Sequence, residues 1–277
     1  MLVVSSIHPT AVIQEGAIIG EGTSIGPYTV IGPQVVIGKN NKVGSHVVIE
    51  GITKIGDNNK IFQFASLGAE PQDLKYHGEP SSLTIGDNNI IREYVTLQPG
   101  TENGGMKTEI GSNCLFMACS HIGHDCKVGN NVILANSVGI AGHVTIEDWV
   151  IIGGLSGVHQ FVRLGAHSYI AAGGMVGQDV PPFCTAQGDR AELVGINTVG
   201  LKRRGFTEEQ IRNIKRVFKF LFLGEGVFKE RLTSAKETFS EIPEALTMIN
   251  FILSSTRGIT SIRKGNKNSH TENSGEI

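Results

Sequence analysis

Residues 110–176 read IGSNCLFMACSHIGHDCKVGNNVILANSVGIAGHVTIEDWVIIGGLSGVHQFVRLGAHSYIAAGGMV, and an apolar residue returns in this stretch at every sixth position. The series consists of Ile110, Phe116, Ile122, Val128, Leu134, Ile140, Ile146, Ile152, Val158, Leu164, Ile170 and Val176. A helical face repeats every 3.6 residues and would leave this register within two steps. Simple strand alternation does not explain the series either, because the residue after each member is often Gly or Ala. A fixed six-residue period predicts a parallel β-helix, in which each repeat forms one flat side and its turn.

An earlier series in the same period adds eleven repeats to the predicted β-helix. Its members are Ile7, Ile13, Ile19, Ile25, Ile31, Ile37, Val43, Ile49, Ile55, Ile61 and Leu67. Two residues before many of these positions the side chain is small or β-branched, as at Ala11, Thr23 and Thr29. Such residues fit a narrow interior. Three repeats per coil therefore predict a triangular prism with about 18 residues per turn.

The repeat is interrupted twice. The first interruption, residues 69–83, is polar and contains Gln72, Asp73 and Lys75, and the original phase resumes at Ile85. It is expected to loop out of the prism, and loops on a rigid scaffold commonly carry binding groups. The second, residues 98–107, is rich in glycine and shifts the phase by one residue. Its Gly-Gly pair predicts a flexible tip without a chemical role.

The repeats are expected to end near Val180, because the following Pro-Pro pair cannot continue a strand ladder. Residues 183–205 are predicted to be an irregular connector. A helical period then begins, with Thr207 and Gln210 in a capping-box pattern, and two further helices are predicted near residues 226–239 and 243–255. The predicted organisation is all-β with an α-helical C-terminal part: a β-helix over 1–190, a helical domain over 191–263 and a disordered tail over 264–277.

Charge and composition exclude some classes of function. A formal net charge of -2 argues against a general nucleic-acid binder and against an electrostatic membrane anchor. No run reaches the ~18 apolar residues that a membrane span requires, so membrane insertion is not expected. The four cysteines show no CxxC spacing and are expected to be buried thiols of a reducing compartment. A soluble cytoplasmic protein is predicted.

Histidines are the candidate functional residues. His124, His143 and His159 each lie within one residue of a column spaced by one coil, Gln160 lies on that column, and His121 precedes His124 by three positions. Because none of them belongs to the inward apolar series, they are expected to line the outside of one prism edge.

Three interpretations of these histidines compete: ordinary surface side chains, a zinc site, or an acid–base catalyst. Asp125 directly follows His124 and could orient its ring. Spacing alone does not separate zinc binding from proton transfer.

Seven short motifs resemble the family of UDP-N-acetylglucosamine acyltransferases that opens lipid A synthesis. They are IHPTA at 7–11, PQDLKY at 71–76, SHIGHDC at 120–126, AGHV at 141–144, VHQF at 158–161, DVPP at 179–182 and GLKRRGF at 200–206. They occur in the family's order between about Ile7 and Gly258. The resemblance implies a left-handed β-helix, an exception to right-handed crossovers, assembled as a homotrimer with active sites between subunits.

The resemblance also implies a reaction. An (R)-3-hydroxyacyl chain would pass directly from acyl carrier protein to the glucosamine 3-hydroxyl of UDP-N-acetylglucosamine, without a cofactor or a metal. His124 matches the family's general base, Asp125 the residue that orients it, and the Gly142 N–H a proposed oxyanion donor. The positions that match substrate-binding residues are Gln72, Asp73, Lys75, His121, His143, His159, Gln160, Asn197, Arg203 and Arg204. The last three match those that hold the nucleotide and diphosphate. The basic face of the first long helix would suit an acidic carrier protein.

Two departures and several alternatives stay open. Val199 stands where several members have Glu near the nucleotide, and residues 171–175 fall where the family sets acyl length without indicating a preferred chain. A 3-amino sugar could replace the usual acceptor. The other candidates are the N-acyltransferase later in the same pathway, a zinc-dependent hydratase of the trimeric β-helix type, and a non-enzymatic scaffold. The helical C-terminal part and the lack of an N-terminal uridine-binding domain argue against that N-acyltransferase. The interrupting loops and the clustered histidines argue against a scaffold.

Overall fold

The computed structural model describes residues 6–262, which form a three-sided parallel β-helix followed by helices. Each coil contributes one short strand to each of three sheets, A, B and C, in that order along the chain. Strands are numbered β1 to β28 from the N-terminus. The prediction of a left-handed parallel β-helix with a helical C-terminal part is confirmed.

Most strands are only two residues long, because each six-residue repeat must supply both a side and a corner. Sheet A contains β1 Ser6–Ile7, β4 Ser24–Ile25, β7 Lys42–Val43, β10 Lys60–Ile61, β13 Ile90–Ile91, β16 Leu115–Phe116, β19 Ile133–Leu134, β22 Ile151–Ile152, β25 Tyr169–Ile170, β27 Cys184–Gln187 and β28 Glu192–Ile196. Sheet B contains β2 Val12–Ile13, β5 Val30–Ile31, β8 Val48–Ile49, β11 Ser66–Leu67, β14 Thr96–Leu97, β17 His121–Ile122, β20 Gly139–Ile140, β23 Gly157–Val158 and β26 Met175–Val176. Sheet C contains β3 Ile18–Ile19, β6 Val36–Ile37, β9 Ile52–Ile55, β12 Ser82–Ile85, β15 Lys107–Ile110, β18 Lys127–Val128, β21 Thr145–Ile146 and β24 Arg163–Leu164.

The apolar series fills the prism interior, as predicted. Ile122 pairs with Ile140, and Ile140 with Val158, so the same face of each strand stacks on its neighbour above and below. All three side chains are buried. Burying one such side chain contributes about 1.5–3 kcal/mol before the cost of ordering the chain, and the repeat supplies this contribution on every side of every coil.

A ladder of buried asparagines occupies part of the interior where the small-residue pattern lapses. Asn59 Nδ2 donates to Asn41 Oδ1 at 3.0 Å, and Asn89 N–H donates to Asn59 Oδ1 at 2.8 Å. Each amide thereby satisfies a polar group one coil away, which a buried amide requires. The sequence pattern did not indicate this ladder.

Both interruptions leave the prism at the corner between sheets B and C, here called the BC edge. The first joins β11 to β12, and the second joins β14 to β15. Ile85 still pairs with Ile55 below it and with Ile110 above it. Both segments therefore leave the prism without disturbing its strand pairing.

The predicted end of the repeats near Val180 is wrong by one strand. Val180 makes a parallel bridge to Leu164, and β27 then pairs parallel with β25 beyond the two prolines. Pro181 and Pro182 lie in the corner between sheets C and A, where the ladder needs no N–H donor. The prediction of an irregular connector over residues 183–205 is also wrong, because these residues contain the antiparallel hairpin β27–β28 and the helix α1, Thr198–Arg203.

The helices that follow agree with the predicted pattern. They are α2 Glu208–Phe218, continued by a π-turn over Lys219–Leu223, then α3 Phe228–Thr238 and α4 Pro243–Leu253. Thr207 and Gln210 form both hydrogen bonds of the capping box at the start of α2. Within 6–262, none of the helices has the length and apolar character needed to cross a bilayer.

The proposed division of the chain at residue 190 stays a prediction. Residues on both sides of that point belong to the hairpin β27–β28, which continues sheet A. The segment 264–277, expected from its composition to be a disordered tail, lies outside the described residues.

Candidate active site

His124 and Asp125 form a hydrogen-bonded pair at the BC edge, in the turn between β17 and β18. Asp125 adopts a left-handed conformation with φ of 58°, and this corner turns two adjacent side chains toward each other. His124 Nδ1 lies 2.8 Å from Asp125 Oδ2. Both side chains are almost completely buried, with exposed fractions of 8% and 0%. The expected orienting contact between these residues is present.

The Asp125 carboxylate accepts two more hydrogen bonds, both from Thr101 in the second insertion. Thr101 N–H donates to Oδ1 at 2.9 Å and Thr101 Oγ1 donates to Oδ2 at 2.6 Å. Both carboxylate oxygens accept from Thr101, and His124 Nδ1 is accordingly the donor to Oδ2, which leaves a free lone pair on Nε2. This tautomer is the one that a general base requires.

Gly142 lies directly beside the reactive side of the His124 ring, one coil further along. A Cβ atom at Gly142 would stand 2.5 Å from both Nε2 and Cε1 of His124, closer than real Cβ contacts come. Only glycine therefore leaves room for the imidazole. The Gly142 N–H has no hydrogen-bond acceptor within residues 6–262, so it can donate to a group that enters next to Nε2.

His143 completes the edge. Its N–H donates to the His124 carbonyl at 2.9 Å, its ring stands edge-on to His124 at 4.9 Å, and it stacks on Phe161 at 4.5 Å. Burial lowers the pKa of His143, and Asp125 opposes that effect. Asp73 also acts on the pKa of His143, which places the first insertion close to this edge.

The four histidines of the predicted column divide between the BC edge and the neighbouring face. His124 and His143 lie on the edge with Asp125, Gly142 and the exposed Gln160. His121 is instead part of β17, and its Nδ1 lies 2.7 Å from Thr96 Oγ1. Burial lowers the pKa of His121, and His124 adds to that shift. The expectation that all four line one edge is corrected accordingly, because residue 121 is inside a strand and not in a corner.

A groove of about 870 Å³ runs along the outer face of sheet B and begins at His121. Its floor follows one register row of the sheet, His121, Gly139, Gly157 and Met175. The two glycines present no side chain outward, which gives the groove its depth. His159 lines it too, with Nδ1 at 2.8 Å from Arg257 Nη2. An extended apolar chain fits such a channel.

The first insertion carries Gln72, Asp73 and Lys75 on the same edge as the dyad. Gln72 and Lys75 are exposed and Asp73 is half-buried. Asp73 Oδ1 accepts from the Lys75 N–H at 3.1 Å and closes the turn. The two insertions are joined by Glu79, whose Oε1 accepts from the Glu102 N–H at 3.1 Å. The same carboxylate accepts from the His77 N–H, and this bond chiefly lowers the pKa of Glu79.

Asn197, Arg203 and Arg204 lie apart from the dyad, at the corner between sheets C and A, here called the CA edge. Asn197 caps α1 through its side-chain oxygen and donates from Nδ2 to the His167 carbonyl at 3.0 Å. Arg204 Nη1 lies 3.4 Å from His167 Nδ1, and its guanidinium is 5.3 Å from the Trp149 ring centre. Arg203 is exposed. One chain therefore brings the predicted site residues together in two clusters on different edges.

Sequence reasoning missed Thr101, Trp149 and His167. Trp149 and His167 are stacked corner residues of successive coils, with ring centres 6.2 Å apart. The coil spacing that connected His124 to His143 could have found this pair too. Thr101 lies outside the repeats, and no spacing rule reaches it.

Among residues 6–262, His124, Asp125 and His143 form a group that could hold a metal, since their ligand atoms lie within 4.8 Å of one another. The carboxylate oxygens, however, already accept from Thr101 and from His124 Nδ1. A metal bound by His124 Nδ1 and Asp125 would have to replace these hydrogen bonds. The donor set is thus arranged as a hydrogen-bonded dyad.

The stacked six-residue coils are the architecture of hexapeptide-repeat proteins, and the match to known families identifies this chain as one of the hexapeptide-repeat transferases. Residues 16–51 and 107–142 match the family model described as bacterial transferase hexapeptide, and residues 179–260 match that of UDP-N-acetylglucosamine O-acyltransferase, domain 2.

Solved structures of three organisms are similar to this chain over nearly its whole length. The UDP-N-acetylglucosamine acyltransferase of Francisella novicida is 44% identical, with 94% of this chain and 95% of that chain covered and a TM-score of 0.89. The Campylobacter jejuni enzyme is 40% identical, with 93% and 100% covered and a TM-score of 0.89. The Arabidopsis enzyme is 36% identical, with 92% and 100% covered and a TM-score of 0.82. The chain belongs to the UDP-N-acetylglucosamine acyltransferase family.

Gly142→Ala should displace the His124 ring. The added methyl group cannot occupy the space of the imidazole, so the ring must rotate away from Asp125. We expect the His124 ring signals in histidine-labelled NMR spectra to move, while circular dichroism retains the β-helix. Gly139→Ala is the matched control, because its Cβ would meet nothing within 4 Å. Unchanged His124 signals in Gly142→Ala would contradict the packing described here.

His167 should make stability depend on pH in a defined window. Burial, with Arg204 as the second cause, lowers the pKa of His167 from its ordinary 6.5 to about 4. Between these values the unfolded chain binds a proton that the folded chain does not, so stability falls as pH falls through the window. We expect His167→Phe, which keeps an aromatic ring against Trp149 and Phe183, to flatten the fall of the melting temperature from pH 6.5 to about 4. Parallel curves for the two proteins would refute this assignment.

Proposed function

We propose that this protein transfers an (R)-3-hydroxyacyl chain from acyl carrier protein to the 3-hydroxyl group of UDP-N-acetylglucosamine, the first step of lipid A synthesis. The observation that carries the proposal is the His124–Asp125 pair at 2.8 Å, with Gly142 against the ring and its N–H without an acceptor among residues 6–262. Family membership supports the acceptor and the type of reaction.

The transfer needs a base, a stabilised oxyanion and a proton donor. His124 Nε2 takes the proton of the sugar hydroxyl as its oxygen attacks the thioester carbonyl, and Asp125 stabilises the resulting imidazolium. The Gly142 N–H donates to the carbonyl oxygen as negative charge develops there. The C–S bond then breaks, and the imidazolium returns its proton to the departing thiolate. No cofactor takes part, and no covalent bond to the protein forms.

The acyl donor is proposed to lie along sheet B. The groove that begins at His121 is apolar along its floor and starts next to the dyad, so an acyl chain placed in it would present its thioester to His124. His159 and His121 line this groove. The exposed basic side chains of α2, Arg212, Lys215 and Arg216, followed by Lys219, would attract the acidic carrier protein.

The acceptor is proposed to bind between two subunits of a homotrimer. Gln72, Asp73, Lys75, His143 and Gln160 would contact the sugar beside His124. The nucleotide and diphosphate would be held by a second cluster, Asn197, Arg203 and Arg204. Because these clusters lie on different edges of one chain, the BC edge of one subunit must face the CA edge of its neighbour. Val199 is exposed beside the second cluster. Because valine has no carboxylate, the ribose would meet no acidic side chain from position 199.

Replacing His124 by Ala tests the proposed base. We expect turnover to fall at least ~10²-fold, the usual scale for a general base, with the oligomer unchanged in size-exclusion chromatography. His46→Ala is a suitable control, since His46 is exposed on a different corner of the prism and stacks between Tyr28 and Phe64. Near-normal turnover by His124→Ala would remove this mechanism.

Mixed oligomers test whether each site is shared between subunits. His124→Ala and Arg204→Ala chains are each expected to be nearly inactive alone. When the two chains are co-expressed and assemble at random, about a quarter of the interfaces receive both an intact His124 and an intact Arg204. Activity near that fraction of normal is expected in the purified mixture.

Mixing the two variants after separate purification, without subunit exchange, gives the matched control and should restore nothing. Continued inactivity of a co-assembled mixture would place both clusters of one site in a single chain and contradict the proposed arrangement.

A further inference from the structure

Thr101 is bonded through every polar group that it has. Its N–H and its hydroxyl both donate to Asp125, and its carbonyl accepts from the N–H groups of Gly104 and Met106 at 3.1 and 3.0 Å. The residue is only 2% exposed. Hydrogen bonds to Thr101 thus hold the second insertion in a compact turn, and Thr101 itself is bonded to the buried carboxylate of Asp125.

The backbone around Thr101 is built to approach that carboxylate closely. A Cβ atom at Gly104 would overlap the Asp125 carboxylate, and one at Gly100 would come within 2.7 Å of its Oδ1. Both glycines are therefore required for the segment to cover Asp125. The Glu102 N–H is bound by Glu79 from the first insertion, which fixes the segment from the other side. These contacts hold the segment on both sides, in contrast to the flexible tip expected from its Gly-Gly pair.

We propose that Thr101 is a positioning residue for the acyl transfer: its hydroxyl competes with His124 for Asp125 Oδ2 and sets how strongly the carboxylate holds the imidazole proton. This inference rests on the proposed role of His124 and Asp125. Because Thr101 Oγ1 and His124 Nδ1 both donate to Asp125 Oδ2, each of these hydrogen bonds is weaker than it would be alone. The backbone N–H on Oδ1 fixes the rotamer, and the hydroxyl on Oδ2 adjusts the charge that His124 meets.

Other titratable groups around the pair would stay in place when Thr101 changes. His143 Nδ1 lies 4.0 Å from the same Oδ2. His121 in β17 has its pKa lowered by burial and by His124, and Asp73 in the first insertion acts on the pKa of His143. The thiol of Cys126 stays protonated because burial raises its pKa to about 12.

Thr101→Val removes the hydroxyl and keeps the shape and the N–H. Without the competing donor, Asp125 holds the imidazolium more tightly, so His124 stays protonated to higher pH. We expect kcat to fall about 10-fold and the acid limb of kcat/KM to move to higher pH. Thr101→Ser, which restores a hydroxyl, should return both values to within about twofold of normal.

Thr108→Val is the matched control, because Thr108 lies in the adjoining β15 and its buried hydroxyl has no partner in the described part of the chain. It should leave the acid limb unchanged. A purely structural role of Thr101 would lower the melting temperature of Thr101→Val without moving the acid limb, and that result would overturn the inference. So would a normal kcat in Thr101→Val.

A double-mutant cycle with Asp125→Ala separates this inference from the proposed function. In the Asp125→Ala background, Thr101→Val should add almost nothing to the loss of turnover, since the shared partner is gone. Additive losses would overturn the role of Thr101 while leaving His124 as the base. A fully active His124→Ala protein, in contrast, would refute the proposed function itself.

Discussion

The β-helix and the side chains placed on its edges depend on the burial of one apolar side chain in every six residues. The buried inward series from Ile25 to Val176 leaves almost no choice of register, because a one-residue shift would expose these side chains and bury the polar corners. The backbone ladder between coils then fixes each corner relative to the next. Side chains far apart in sequence, such as those of His124 and His143, become neighbours through this single constraint.

The sequence specifies the prism well because its period is long, regular and carried by burial. A regular pattern does not indicate which side chains fill the interior at the positions where the pattern lapses. The buried amides of Asn41, Asn59 and Asn89 fill interior positions where the pattern lapses, and their mutual hydrogen bonds are visible only when the coils are stacked. The hairpin after Pro182 was missed for a related reason. Proline cannot donate a hydrogen bond in a strand ladder, so the repeats were expected to end at Pro181 and Pro182. Both prolines lie in a corner, where no ladder donor is needed, and the strands continue beyond them.

The candidate site was predictable to the extent that it obeys the coil spacing. His124 and His143 follow from that spacing, whereas their contact with Asp125 depends on a left-handed corner at φ of 58°. Thr101 lies in a segment without periodicity, and only the folded chain shows that its hydroxyl reaches a carboxylate 24 residues later. Trp149 and His167 follow the coil spacing at a different corner, whereas Arg204 lies outside the repeats and reaches both of them from the end of α1. The relation of that corner to the dyad concerns two subunits, and no pattern within one chain expresses it.

The electrostatic character of the site follows from how its groups are shielded. The Asp125 side chain is fully buried and accepts hydrogen bonds from Thr101 and His124, so its polar contacts are made inside the protein and not with solvent. His121 and His143 have lowered pKa values because they are partly buried, which favours neutral rings on both sides of the dyad. Of these three imidazoles, His124 is the one whose ring nitrogen lies at hydrogen-bond distance from the Asp125 carboxylate, at 2.8 Å.

The two insertions leave and rejoin the prism without altering the pairing of Ile55, Ile85 and Ile110. A corner of this solenoid is consequently a place where segments of different length can be exchanged during evolution while the scaffold is inherited intact. The BC edge holds both insertions together with the dyad. New acceptor or donor preferences can therefore arise at this edge by changing a loop, with no need to redesign the interior that supports it.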